Sequence, residues 1–491
     1  MDFYKLHNGS DIRGVALPGV AGEEVNLTEE AITKISASFA IWLKKKLNKD
    51  KLRAGVGHDS RLSAETLKSY VINGLMGAGA EPVDCGLAST PSMFMSTVFK
   101  ETGFDAGIMI TASHLPFNRN GLKFFTKNGG LESNDIKEIL GIANDVEINC
   151  VGNKNHIVEK FDIIEVYSGF LRDKIISEVG PGCPLKGLHI VLDASNGSGG
   201  FFASKVLGPL GADTSGSIFL EPDGNFPNHK PNPEDSEAMM FIKEAVLKNK
   251  ADLGIIFDTD VDRAAVVFSN GSEINRNKII ALASAIVQKS HPNSIVVTDS
   301  VTSNHLTEFL ESGLNLTHHR FKRGYKNVIN EAIRLNEGGI KSYLAIETSG
   351  HCAFHENYFL DDGAYLSVKI CIEAAKALQN NSKLEYLIQS LGEPKESFEY
   401  RVKINTGDFK AYGKKVLEGF EAFVDANPDF EQSNSYEGVR VLFDKGFLML
   451  RMSLHDPQIA INIESDELGA SGEVMLKIRK FIEGYNKLIW V

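Results

Sequence analysis

Cysteine is scarce in this chain of 491 residues. Its five cysteines, Cys85, Cys150, Cys183, Cys352 and Cys371, stand far apart and form no CxxC pair. An odd, scattered set argues against a disulfide framework or a thiolate zinc site, and for a reducing, cytoplasmic compartment. Long apolar runs are missing too. No stretch of about 18 apolar residues occurs, so neither a membrane-spanning helix nor a membrane partner is expected. The segment Ala31–Leu47 is partly apolar but carries lysines throughout. The opening residues MDFYKLHNGS lack the apolar centre of a signal peptide. Basic charge is in deficit: 52 Lys and Arg face 64 Asp and Glu, a formal charge of −12, and no basic block stands out. Nucleic acid is therefore not expected as a partner. An anionic small substrate would need a local nest of Arg, Lys and backbone amides.

What is present suits a multi-domain globular protein. The hydrophobic content of 43% is ordinary for one. At about 100–200 residues per domain, the length implies three or four domains. Apolar β-branched runs alternate with longer amphipathic stretches, as expected for a mainly parallel sheet covered by helices. LRAGVGHDSR reads as strand then loop, and SAETLKSYVINGLMGAG as a helix capped by Ser63. AEPVDCG reads as a strand, and PSMFMSTVFKETG as another helix. The rhythm returns at LHIVLDASNGSGG, ADLGIIFD, SIVVTDS and SYLAIE. After about residue 390, ESFEYRVKI, GVRVLFDKGFLMLRMSL and QIAINIES read as strands of an antiparallel sheet in a smaller α+β domain. The expected fold is three related α/β domains with mixed sheets covered by helices, plus that C-terminal domain, around a central cleft. The boundaries read as 1–155, 156–270, 271–390 and 391–491.

Three apolar strands run straight into polar loops, where ligand sites of α/β sheets form. GIMI precedes Thr111–Ala112–Ser113–His114, with Lys123 following on a β-turn. Alone, Ser113 reads as a turn or helix-cap residue ahead of a catalytic one. GIIF precedes Asp258–Thr259–Asp260–Val261–Asp262–Arg263. Three carboxylates at spacing two either form a solvated acidic turn or surround a cation, and oxygen-only donors favour a hard ion such as Mg²⁺. YLAI precedes Glu347–Thr348–Ser349–Gly350–His351, a set that suits sugar hydroxyls or a plain turn. Near the C-terminus Arg440 precedes Arg451–Met452–Ser453–Leu454–His455, which reads as a phosphate grip or as a surface loop. The stretch Glu221–Glu234 is a rigid Pro/Asn-rich loop, and Arg13 in DIRG is a further phosphate contact.

Six segments occur in one order: DIRG, TASHLP, PDGNFPNHKPNPE, DTDVDR, ETSGH and RMS. Together they resemble the α-D-phosphohexomutase family from residue 10 to about 460, most closely its bacterial phosphomannomutase/phosphoglucomutase branch. The resemblance implies that Ser113 is a phosphoserine. Asp258, Asp260 and Asp262 would hold Mg²⁺ with a phosphoserine oxygen. Arg13, His114, Lys123 and Arg263 would line the reacting centre. Glu347, Ser349 and His351 would contact the sugar. Arg440, Arg451, Ser453 and His455 would hold the phosphate that is not reacting. The implied activity moves phosphate between O1 and O6 of glucose and mannose phosphates, with hexose 1,6-bisphosphate as intermediate and activator. Lys123 or His114 would serve as general base. The partners are small-molecule hexose phosphates, and the chain would be a monomer or homodimer.

Departures from the family pattern are local. Leu115 replaces a usual Asn, Thr259 and Val261 replace glycines, and Leu454 and His455 replace a small residue and a threonine. Gly324–Tyr325 stands for a Gly–His pair, with Lys322, Arg323 and Lys326 beside it. These changes touch phosphate and sugar contacts. They keep open a mutase for an amino sugar phosphate or another hexose phosphate. A catalytically weak sugar-phosphate-binding relative and a metal-dependent phosphatase are the other readings.

Overall fold

The computed structural model describes residues 2–147, 158–453 and 456–491. Cys150, the boundary residue 155, Leu454 and His455 lie outside these. The chain groups into two compact units, Met1–Arg276 with Ser349–Tyr386 and Asn277–Thr348 with Leu387–Val491. Residues 349–386, placed by sequence in the third domain, thus cluster with the first unit.

Among the described residues, the first unit holds two whole sheets and the antiparallel strand pair Cys352–Phe354 and Leu360–Asp361. In the larger, Asp11–Val15, Arg119–Thr126, Ala106–Ile110, Arg53–His58 and Glu81–Leu87 lie side by side. Arg53–His58 pairs parallel with both Ala106–Ile110 and Glu81–Leu87, while Arg119–Thr126 runs antiparallel to its neighbours. The sheet packs on the helix Glu29–Leu47, whose Ile32, Ile35, Phe39 and Leu43 form one buried stripe. Thr28 caps that helix, glutamates open it and lysines close it, as the helix dipole favours. Among the described residues, no helix is long and apolar enough to cross a membrane. The smaller sheet runs Glu273–Ile274, Ala264–Phe268, Leu253–Phe257, Ile190–Asp193. Its last two strands are parallel and its first three antiparallel.

In the second unit, Thr317–Arg320, Ile295–Thr298 and Ser342–Ile346 pair in parallel. A six-stranded antiparallel sheet follows, with Glu396–Ile404, Gln458–Ser465 and Gly446–Met452 at its centre. Helices Phe409–Asp425 and Ala470–Glu483 bury Val416, Phe420, Ile478 and Ile482 against it. The fold is therefore mixed α/β with a C-terminal antiparallel α+β part, as expected.

Local expectations needed three corrections. Ser63 precedes the helix Ala64–Gly77 but does not cap it, because its hydroxyl accepts from Asn120. The helix expected through PSMFMSTVFKETG stops at Met95. The Ser96 and Thr97 hydroxyls bond to its Met93 and Phe94 carbonyls, and beyond it the Thr102 hydroxyl bonds to Ser96 O and Phe99 O. Lys123 sits inside the strand Arg119–Thr126, not on a turn. Gly121, two residues earlier, lets this strand approach Asp11–Val15, since a Cβ there would meet Ile12 O at 2.2 Å.

Candidate active site

Two strands of the first unit end in the loops that carry its chemistry. The strand Ala106–Ile110 delivers Ser113, and the strand Leu253–Phe257 delivers the acidic loop. Ser113 is 6% exposed, and its hydroxyl donates to Asp258 Oδ2 at 2.9 Å. Arg263 Nη2 donates to the same hydroxyl at 3.1 Å, and Arg263 Nε lies 3.2 Å from Asp258 Oδ2. The Pro/Asn-rich loop supplies Asn232, which accepts from Arg263 Nη1 at 3.1 Å. Lys123 Nζ lies 2.5 Å from Asp262 and 3.2 Å from Asp260. Thr90 closes the set: its hydroxyl donates to Asp260 Oδ2 at 2.5 Å and its N–H to Asp260 O at 2.8 Å. On the nearby strand Asp11–Val15, Arg13 pairs with Asp11 at 2.9 Å.

The acidic loop is a tight turn, not an exposed one. Asp258, Asp260 and Asp262 are almost fully buried, and one oxygen of each lies within 4.8 Å of the others. Asp260 Oδ1 and Asp262 Oδ1 are buried without a hydrogen-bond partner. Burial, then Asp262 and Asp260, push the Asp258 carboxyl well above its ordinary range. Burial also opposes charge on Asp262, but Lys123, His351 and Arg263 outweigh it and hold that carboxyl low. Buried, oxygen-only donors with unused lone pairs fit a hard divalent cation and leave a solvated acidic turn without support. Val261 occupies the centre of the turn at φ 67°, a left-handed conformation that a β-branched residue rarely adopts. Its side chain is fully buried, and Gly363 donates its N–H to Val261 O.

Histidines flank this centre in opposite states. Arg263 Nη2 lies 2.6 Å from His114 Nδ1. Arg263, burial and Arg13 push the imidazole down to about 2, so it stays neutral and its Nδ1 lone pair is engaged. His351 bonds to Asp361 through Nδ1. Burial disfavours its charge, but Asp361 and Asp262 outweigh this and raise it to about 9. Ser349 is buried in the same segment.

The second unit contains the remaining expected site residues. The boundary between units falls inside the ETSGH loop, between Thr348 and Ser349. Glu347 Oε1 accepts the Gly324 N–H at 2.6 Å, and Thr348 donates to Asp299 at 2.6 Å. Glu437 Oε1 accepts from the Arg323 N–H at 2.8 Å and from Ser300 at 2.5 Å. Arg451 is 4% exposed, its Nε has no hydrogen-bond partner, and no carboxylate lies within ion-pair distance among the described residues. Burial, then Arg323, lower its affinity for the proton. Ser453 Oγ accepts from the Asp456 N–H at 3.3 Å. Arg440 is already engaged: it donates to Ser300 O, Thr302 O and Asn304 Oδ1 and stacks on Phe447 at 3.7 Å. Its guanidinium holds the 300–304 loop.

Sequence reading passed over Arg61, Asp59 and Thr90. Arg61 and Asp59 lie in the HDSR loop, at the end of a strand parallel to Ala106–Ile110. The same strand-end logic that singled out Ser113 applies to them.

Comparison with known proteins then gives the family. Phosphoglucomutase/phosphomannomutase alpha/beta/alpha domain I matches residues 5–148, domain II residues 177–271 and domain III residues 275–392. A phosphoglucomutase of Neisseria gonorrhoeae is 30% identical over 100% of this chain and 98% of its own length. The chain belongs to the phosphoglucomutase/phosphomannomutase family. Another member, the phosphoglucomutase/phosphomannomutase of Thermococcus kodakarensis, is 31% identical over 91% of this chain and 92% of its own. The crystal structure of a family protein from Burkholderia thailandensis aligns with a TM-score of 0.80 at 23% identity, covering 99% of this chain and 98% of that one. A Paramecium phosphoglucomutase aligns at 0.75 with 16% identity, covering 98% and 96%. These two structures share the fold, and the family agrees with the motif resemblance.

Proposed function

We propose that this family member is a phosphohexomutase that moves phosphate between O1 and O6 of glucose and mannose phosphates through a phosphoserine at Ser113. The observation that carries this reading is the placement of the Ser113 hydroxyl, within hydrogen-bond distance of both Asp258 and Arg263. Beside it lie the unpartnered oxygens of Asp260 and Asp262. Asp258, Asp260 and Asp262 would hold Mg²⁺, which when bound offsets charge on a transferring phosphoryl group.

Phosphorylated Ser113 is the donor. The bond from phosphorus to the serine oxygen breaks as a bond to the free sugar hydroxyl forms. Arg263, which donates to the Ser113 hydroxyl, would offset charge that develops on the transferring group. The hydroxyl proton must pass to a base. His114 is a poor one, because Arg263 occupies its Nδ1 and suppresses its basicity; Lys123 is the other candidate and serves only as the neutral amine, since the ammonium that pairs with Asp262 has no lone pair to offer. The hexose 1,6-bisphosphate formed turns over and returns its other phosphate to Ser113. Glu347, Ser349 and His351 are assigned to sugar hydroxyls, and Arg451 and Ser453 to the phosphate that is not reacting.

A ³¹P NMR time course tests this directly, with Mg²⁺ and a trace of glucose 1,6-bisphosphate. Glucose, mannose and glucosamine 1-phosphates are run in parallel. Conversion of the glucose and mannose substrates to 6-phosphates is expected. Conversion of the amino sugar alone would reassign the substrate, and release of inorganic phosphate alone would make the protein a phosphatase. For the distal phosphate, Arg451→Ala is expected to raise KM about 10- to 100-fold with little change in kcat. An unchanged KM for every hexose phosphate tested would remove Arg451 from the binding site.

A further inference from the structure

We propose that Asp59 and Arg61 are positioning residues that hold Ser113 in a left-handed backbone conformation with its hydroxyl aimed at Asp258 and Arg263. The inference rests on the reading of Ser113 as the phosphate carrier. Ser113 has φ 50°, a region that favours glycine over any L side chain. Something must hold it there, and both ends of the residue are gripped. Its N–H donates to Thr111 Oγ1 at 2.9 Å, and Thr111 Oγ1 in turn donates to Asp59 Oδ2 at 2.7 Å. Its carbonyl accepts from Arg61 Nη2 at 2.5 Å.

Arg61 does more than meet one carbonyl. The same guanidinium donates to Leu115 O, Pro116 O and Arg119 O, so it gathers the whole loop from Ser113 to the next strand. Arg61 Nε lies 3.3 Å from Asp59 Oδ2, and neither side chain is exposed. The pair therefore joins the two grips into one unit: Asp59 fixes Thr111 on the amide side, and Arg61 fixes the carbonyl side. The ring of Phe226, from the Pro/Asn-rich loop, covers the guanidinium at 5.3 Å. Neither Asp59 nor Arg61 touches the Ser113 hydroxyl. Their effect is on where it points.

The test uses the full chain with Mg²⁺. Arg61→Lys keeps the charge but cannot reach several carbonyls at once, and Thr111→Val removes the amide grip. Both are expected to lower kcat about 100-fold, the cost of displacing a reacting atom by about 1 Å, with KM for glucose 1-phosphate nearly unchanged. Thr111→Ser, which keeps the oxygen, should restore kcat. Wild-type kcat in both Arg61→Lys and Thr111→Val would overturn the proposal. A second readout needs no turnover. Ser113→Gly should raise Tm in the wild-type background, where the left-handed conformation is imposed, and give no gain in the Arg61→Lys background. An equal gain in both backgrounds would also overturn it. Absence of turnover in the wild type would sink the proposed mutase activity alone, because the Tm comparison stands without it.

Discussion

Replacing Ser113 by alanine is expected to abolish interconversion of hexose phosphates, by at least about 10⁴-fold, while the chain stays folded. The hydroxyl is the only group of this residue that the proposed chemistry uses. Removing it deletes the phosphate carrier and leaves binding groups in place. The fold should tolerate the change. Alanine keeps the grips of Thr111 and Arg61 on the backbone, and the hydrogen bond lost to Asp258 is one that its neighbour Arg263 partly replaces. Intact mass after incubation with glucose 1,6-bisphosphate supplies the check. The wild type should gain one phosphoryl group and the variant none. A variant that still gains phosphate and still turns over would place the carrier elsewhere.

Asp260→Asn should change activity and stability in opposite directions. Turnover with Mg²⁺ is expected to fall about 10²- to 10³-fold, because one of three cation ligands loses its charge. Stability without metal is expected to rise by about 1 kcal/mol. Two like charges within 4.8 Å of each other repel by roughly 3 kcal/mol or more at an effective dielectric near 20, and the ion pair with Lys123 offsets part of this. Asparagine keeps an acceptor for the Thr90 hydroxyl and for Lys123 while ending the repulsion. Mg²⁺ should raise the Tm of the wild type and leave that of the variant nearly unmoved. Thermal unfolding with Mg²⁺ and with a chelator measures both signs. A variant that Mg²⁺ stabilises as much as it does the wild type would exclude Asp260 as a ligand.

The loops of the candidate site were legible where a polar segment follows a buried strand. GIMI before TASH and GIIF before DTDVDR announce their loops because the apolar run fixes where the strand ends. Convergence of Asp258, Asp260 and Asp262 follows from their spacing once the turn is tight. The strand-end logic also marks the loop that holds Arg61, but what that side chain grips was not legible. Its four carbonyl partners depend on Arg53–His58 lying beside Ala106–Ile110, and strand neighbours leave no mark in a local pattern. Arg440 and Arg451 show the same limit from the other side. Both look like anion grips in sequence, yet Arg440 spends its donors on Ser300, Thr302 and Asn304 while Arg451 keeps a buried nitrogen without a partner. Only burial and hydrogen bonding separate them. Lys123 was misplaced onto a turn because NRNGLKFF carries an Asn–Gly step, and strand pairing with Met109 overrode that local signal.

The valine at position 261 also bears on which ions the acidic loop can accept. A loop with glycines between its carboxylates can re-form around ions of different radius. Here a buried β-branched side chain sits in the turn at φ 67°, and the Gly363 N–H bonds to its carbonyl. Calcium takes more ligands at longer distances than magnesium, which demands a compact octahedral shell. On the proposed cation site, the rigidity of this turn is expected to act as a size filter. The expected result is that calcium and magnesium lie further apart in affinity for the native chain than for Val261→Gly, which competition titration of the two reads directly.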